Sequence, residues 1–157
     1  MTVYHGSFEE IANPDVYHSR KKVDFGAGFY VTPLYEQAVS WSKRFIPRHG
    51  KAVVSRYELD DAALRFCRTL RFDSYSEKWL DFIVACRQGN AMGDYDIVMG
   101  GVANDRIFDT LELFFNGLIG KADAIEKLKF YQPNYQICIR TQNTIEQYLH
   151  FTGSEII

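Results

Sequence analysis

Asp24-Phe25-Gly26-Ala27-Gly28-Phe29-Tyr30-Val31-Thr32 joins a glycine-loosened turn to a short aromatic strand. Gly26 and Gly28 let the backbone take positive φ or lie close against a neighbouring group, and Phe29 to Thr32 carries residues that favour a strand. Pro33 next presets φ for a first helical position, with Thr32 placed to cap it. Tyr30 therefore stands on a strand leaving a tight turn, its ring held by backbone on both sides. A flat aromatic fixed beside bare glycine backbone suits the planar ring of a ligand; the same segment also reads as a buried edge strand with a core tyrosine.

The flanking chain fits an α+β arrangement. Upstream, Val3-Tyr4-His5-Gly6-Ser7 reads as a strand ending on a histidine, a glycine and a hydroxyl, and Phe8 to Ala12 as a turn of helix that Asn13-Pro14 stops. Downstream, Leu34, Ala38, Trp41 and Phe45 fall on one face of a helix that Gly50 ends. Ala52 to Leu59 alternates as a strand, and Leu64 to Phe72 is a further strand or an irregular connection. Ser76 caps a helix running to about Arg87, and Tyr95 to Val102, the most hydrophobic strand, is expected at the centre of a sheet. Asn104 or Asp105 caps a helix with the face Ile107, Leu111, Phe114 and Leu118. A short helix from Ala122 to about Lys129, a strand from Ile137 to Thr141, a helix from Asn143 to Leu149 and a polar tail complete the chain. Short strands alternating with helices predict non-sequential pairing around a central cleft.

At 157 residues the chain is long enough for one domain with a real core, read as 1–157, and too short for two. Its formal charge of -2 exerts no global pull toward nucleic acid or an anionic membrane. Cys67, Cys86 and Cys138 are scattered without C-x-x-C spacing, which argues against a disulfide framework or a zinc site and for a reducing compartment. With no basic, apolar leader and no apolar run of membrane-spanning length, a cytoplasmic protein without membrane partners is expected. Three local patterns stay open. Arg20-Lys21-Lys22 is a solvated loop or faces a ligand's phosphates, Arg20 first because its fork matches phosphate oxygens. Arg65, Arg68 and Arg71, interleaved with Phe66, Leu70 and Phe72, are a surface strand or a contact for single-stranded nucleic acid. Asp94, Asp96 and Asp105 read better as turn and cap residues than as a metal site, since no ligand-loop spacing joins them.

Together, the His-Gly-Ser strand end and the Gly-Ala-Gly-Phe-Tyr strand, followed by a helix, resemble the ADP-ribosyltransferase superfamily. The likeness is to its diphtheria-toxin and poly(ADP-ribose)-polymerase-like branch, known by a His, Tyr, Glu signature. Within that branch, the chain from Tyr4 to about Phe151 resembles a family of small, toxin-like bacterial proteins of undetermined function. The resemblance implies two small, mainly antiparallel sheets around an NAD-binding cleft with flanking helices. It also implies a mono-ADP-ribosyltransferase that takes NAD as substrate, needs no metal and modifies a macromolecular acceptor. As a toxin, it would be held in check by a small antitoxin protein.

Cleaving the bond between nicotinamide and ribose develops positive charge on the sugar, so such a site must hold the ring, pin the sugar and favour that charge. By the resemblance, His5 would hydrogen-bond the adenosine ribose while the Gly6 backbone clamps the nicotinamide amide and Ser7 shapes that strand end. Tyr30 would stack on the nicotinamide, with Gly28 letting it approach, and Arg20 would face the pyrophosphate. At the third signature position stands Gln136, in Asn134-Tyr135-Gln136-Ile137-Cys138-Ile139, where the branch carries Glu. An amide accepts a hydrogen bond from a ribose hydroxyl but carries no charge and cannot act as a base. That favours single transfer to an already nucleophilic target over chain elongation. Glu146 and Glu155 are expected to be surface charges rather than substitutes. The missing glutamate also fits a catalytically inactive relative that binds NAD or ADP-ribose. Water as acceptor would make an NAD glycohydrolase, and the arginines alone a nucleic-acid-binding module.

Overall fold

The computed structural model describes residues 1–90, 92–103, 105–129 and 134–157. In chain order the first elements are β1 (Thr2–Ser7), β2 (Phe29–Val31), α1 (Tyr35–Ser42), a 3-10 turn (Lys43–Phe45), α2 (Ile46–His49), β3 (Val53–Leu59) and α3 (Ala62–Phe66). They are followed by β4 (Thr69–Arg71), α4 (Glu77–Arg87), β5 (Ile97–Gly101), α5 (Asp105–Phe115), α6 (Lys121–Leu128), β6 (Tyr135–Ile139), α7 (Gln142–Tyr148) and β7 (Leu149–Ile156). The strands form two small sheets, β1-β3-β7 and β2-β6-β5-β4, antiparallel throughout except between β4 and β5. The fold is α+β, and β5 lies inside its sheet as its hydrophobicity predicts.

Alternation decides which residue meets which layer. Phe29, Val31, Ile97, Met99, Ile137 and Ile139 leave one face of the four-stranded sheet and pack with Val3, Tyr57 and Leu59 of the other. Val98 and Cys138 leave the opposite face and meet Trp79, Leu80, Ile83, Ile107 and Leu111 of α4 and α5. The outer face of the three-stranded sheet is covered, at Val54, by Ala38 and Val39 of α1. The order of layers is helix, sheet, sheet, helices. Each fully buried aliphatic or aromatic side chain here contributes roughly 1.5–3 kcal/mol.

α1 lies so close to β1 that a Cβ on Gly6 would run into the Ala38 carbonyl and come within 3.0 Å of Ser42 N. At that separation only small side chains fit between helix and strand, and the buried residues of α1 are Ala38, Val39 and Ser42. The expected face is corrected accordingly: Leu34 and Trp41 are 45% and 46% exposed. Gly6→Ala is expected to lower stability by about 1–3 kcal/mol through overpacking. The check is a lower urea midpoint with an unchanged slope.

Other expectations change for physical reasons. Phe8 to Ala12 is not helical, because its backbone is claimed by β3: Ile11 N donates to Ser55 Oγ at 3.0 Å, and Ile11 O accepts from Tyr57 Oη at 2.5 Å. Residues 64 to 72 hold the end of α3 and all of β4. The polar tail is β7, paired with β3 from Leu59↔Leu149 to Val53↔Ile156. Its outer residues are exposed and Gly153-Ser154 has little strand propensity, which masks it in sequence. Leu118, expected on the buried face of α5, is 71% exposed beyond the helix end. Thr32 does not cap a helix at Pro33; its hydroxyl accepts from Leu34 N and donates to Tyr135 O at 2.7 Å, and α1 begins at Tyr35. Ser76 caps α4 as expected, accepting from Trp79 N. The expected Asn104 cap and the Asp105 side chain lie outside the described residues. No described helix is long and apolar enough to cross a membrane.

Candidate functional site

The two sheets meet along one rung, in which Tyr4 N donates to Thr32 O at 2.8 Å and Thr32 N to Tyr4 O at 2.9 Å. Backbone groups alternate in direction along a strand, so Tyr4 faces β2, His5 faces β3, and Gly6 again faces β2. A continued ladder would pair Gly6 with Tyr30. Instead the Tyr30 carbonyl accepts from Nδ1 of the His5 ring at 2.7 Å. The imidazole takes the place of the next rung, the ladder between the sheets stops at Tyr4–Thr32, and Gly6, which is buried, lies just beyond it.

A carbonyl only accepts, so the tautomer assigned from this bond carries its proton on Nδ1 and presents a lone pair at Nε2. The ring stacks on Phe29 with centroids 4.6 Å apart. Burial lowers the His5 pKa below its ordinary 6.5, with the Tyr30 carbonyl opposing the shift, and the ring stays neutral. The stability linked to this neutral form is full above pH 6.5 and is lost as the pH falls from there through the depressed folded value. His5→Asn keeps a donor for Tyr30 O without a titrating ring. Its melting temperature is expected to depend less steeply on pH than the wild type's between about 7 and 5.

The turn before β2 is built around the Tyr30 hydroxyl. Oη donates to Gly26 O at 2.7 Å and accepts from Phe25 N at 3.0 Å, with Gly26 at φ 77°. The half-buried ring is thereby fixed by backbone, as expected. Burial raises the Tyr30 pKa well above 10, so the phenol stays protonated and offers a surface rather than a base. Gly28 has a cause that sequence does not suggest: the place of a Cβ is filled by Cys138 Sγ and, at 2.6 Å, by Ile139 O. It lets the turn lie on β6. Gly28 N also donates to Ser19 Oγ at 2.8 Å, which brings the exposed Arg20 to the rim of the turn. Ser7 is buried opposite Val53 at the end of β1. Beside Tyr30, burial pushes the Cys138 thiol up to about 12, so it is no nucleophile.

Gln136 lies on β6 two residues from Cys138, the partner of Tyr30, and therefore on the same face of the sheet as Tyr30. It is buried, and its Nε2 donates to Asp24 Oδ2 at 3.3 Å. Asp24, also buried, accepts on Oδ1 from Arg87 Nη2 at 2.6 Å and Nε at 3.1 Å, and on Oδ2 from Ala103 N at 3.1 Å. The Arg87 guanidinium rests 4.7 Å over the Phe108 ring. Sequence reasoning misses this pair. Its only signal is an acid placed directly before an apolar glycine turn, and no spacing connects it to an arginine 63 residues away.

Elsewhere, carboxylates neutralise two members of the arginine series: Arg68 is paired with Asp94 and Asp96, and Arg71 with Asp73. Asp94 and Asp96 thus serve as ion-pair partners. Among the described residues no group of three or more His, Cys, Asp or Glu is placed to hold a metal. Glu146 accepts from Gln142 in α7, while Glu155 lies with Tyr4, Tyr35 and Arg56 in an open groove on the α1 side of the three-stranded sheet. Both are exposed. A family model described as "Protein of unknown function (DUF3990)" matches residues 1–151. No curated protein and no solved structure matches the chain.

Proposed function

We propose that this chain, which belongs to the DUF3990 family, is an NAD-dependent mono-ADP-ribosyltransferase with the fold of that superfamily and a ligand seat beside the β1–β2 junction, on the Tyr30 face of the four-stranded sheet. The observation that carries the reading is the meeting of His5, Gly6 and Tyr30 where the sheets part, with Gln136 on the Tyr30 face. Gly6 lies just beyond the last rung and carries one N–H and one C=O, and a primary carboxamide has one acceptor and a donor to match them. The nicotinamide carboxamide pairs with Gly6 while its ring lies on Tyr30. The His5 Nε2 lone pair accepts from the adenosine ribose, and the Gln136 carbonyl accepts from the ribose that bears the nicotinamide. Arg20, at the rim, faces the pyrophosphate, and Ser7 supports the strand end.

In this reading the glycosidic electron pair leaves with the nicotinamide nitrogen, and the macromolecular acceptor attacks the cationic sugar carbon and gives up a proton. Neither Tyr30 nor Gln136 is a base, so the acceptor must be nucleophilic already. In this reading the chain acts as a toxin, through modification of its acceptor, and is restrained by a small antitoxin protein. A second reading, an inactive NAD-binding relative, is favoured by the neutral amide at 136 and its engagement with Asp24.

The test is to incubate the purified protein with isotopically labelled NAD and a cell lysate, following free nicotinamide and label retained on macromolecules. Retained label, sorted by nuclease and protease, establishes transfer and the acceptor class. Nicotinamide without retained label means hydrolysis. Binding of NAD with neither product leaves the inactive relative.

A further inference from the structure

Gln and its isostere Glu differ at one atom, and a carboxamide has two ends of nearly equal shape and opposite hydrogen-bonding sense. Unless something fixes the rotation, the amide at 136 can turn its NH2 toward the ligand instead of its oxygen. Asp24 stands on one side of that amide at 3.3 Å from Nε2. An ionised carboxylate accepts only, so it selects the rotamer in which NH2 faces it and Oε1 faces away. Asp24 cannot itself turn: Arg87 holds Oδ1 by two bonds and Ala103 N holds Oδ2. The carboxylate is therefore a rigid reference for the amide beside it.

We infer that Asp24 is a positioning residue, which acts through Gln136 by presenting Oε1 to the ribose hydroxyl; the inference rests on the NAD reading above. A hydrogen bond to a carboxylate also polarises the amide, moving negative charge onto Oε1 and supplying part of what a glutamate would bring to a cationic sugar. The same geometry accounts for glutamine at the third signature position. A glutamate there would set a second carboxylate against Asp24 inside a buried network. In this chain, acid at 24 and amide at 136 belong together.

The experiment compares wild type, Asp24→Asn, Gln136→Glu and the double variant by melting temperature, NAD binding and nicotinamide release against pH. Asp24→Asn is expected to lower kcat roughly tenfold, the worth of one misdirected hydrogen bond, with KM for NAD little changed. Gln136→Glu alone is expected to melt lower than wild type and to lose activity as the pH rises and the introduced carboxyl ionises against Asp24. The double variant moves the charge from 24 to 136, where the NH2 of the introduced asparagine can donate to the introduced carboxylate, at the cost of the Ala103 bond. It is expected to melt higher than Gln136→Glu and to regain activity, now with an acid limb from the new carboxyl that wild type lacks. A structural role alone would restore melting without restoring kcat or adding that limb. Simple addition of the two melting shifts, or a double variant as slow as Asp24→Asn, overturns the inference. Wild type that fails to bind NAD overturns the NAD reading instead, and the role of Gln136 with it, while the melting temperatures still report the Asp24–Gln136 contact.

Discussion

Tyr30→Ala is expected to abolish NAD-dependent labelling, a fall of roughly a hundredfold or more, because under the proposed function the ring is the surface on which the nicotinamide lies. The same change removes a ring that packs against the α4–α5 core and a hydroxyl that joins Phe25 N to Gly26 O. A stability cost of about 3–5 kcal/mol goes with it. Tyr30→Phe separates the two effects. It keeps the ring, leaves Phe25 N without its acceptor and leaves Gly26 O with the weak Cys138 thiol donor at 4.0 Å, so about 1–3 kcal/mol of stability is lost while most labelling survives. Folding is read by far-UV circular dichroism and urea melts, function by label retained at a temperature where each variant is folded. A folded Tyr30→Ala protein with undiminished labelling sinks the assignment of the site. A Tyr30→Phe protein as inactive as Tyr30→Ala would move the role from the ring to the hydroxyl.

A loss of stability as large as that of Tyr30→Ala is expected at Arg87, a residue outside the ligand seat. Arg87→Ala strips the cation from the Asp24 carboxylate, which is 13% exposed in the intact protein, and leaves it Ala103 N and Gln136 as donors among the described residues. Removing one partner of a buried ion pair costs about 3–5 kcal/mol. The cation over Phe108 is lost as well. Arg68 offers the contrast: its own side chain is 55% exposed, and of its two carboxylate partners Asp94 is 89% exposed, while Asp96, 17% exposed, keeps the backbone N–H of residue 68 and Thr141 Oγ1 as donors when the guanidinium is removed. Arg68→Ala is expected to melt like wild type. Equal losses in the two variants would mean that burial does not separate these pairs, and the Asp24 network would lose its special standing.

The stretch from Asp24 to Thr32 is readable in sequence because local chemistry dictates it: two glycines, then aromatic and β-branched residues, then a proline. The central strand and the Ser76 cap are readable for the same reason. What composition does not show is the relation between distant segments. Gly6 and Gly28 invite explanation by a ligand, yet the nearest cause of each is a neighbouring element, α1 for one and β6 for the other. The α1 face escapes a periodicity argument because that argument favours large apolar residues, whereas a tight helix–strand contact selects Ala38 and Ser42. β7 is hidden because an edge strand needs only one apolar face. Arg68 looks like a phosphate ligand until its carboxylates come into view. Asp24 looks like a turn residue until β6 is placed beside it.

The rung between Tyr4 and Thr32 has a kinetic side. β2 has three residues, and the bonds that seat it reach across the chain: His5 to Tyr30 spans 25 residues, Thr32 to Tyr135 103, and Asp24 to Gln136 112. Contacts so remote must bear the entropy of closing long loops before they return any energy, which slows the search for them. A chain folded only through α4 contains both His5 and Tyr30, yet nothing holds β2 in register on its far side. Docking of β6 supplies that hold and brings Gln136 to Asp24 in the same movement. Under the proposed function, nucleotide-handling competence therefore arrives in one late step, and a partly folded chain has no half-formed version of it to expose.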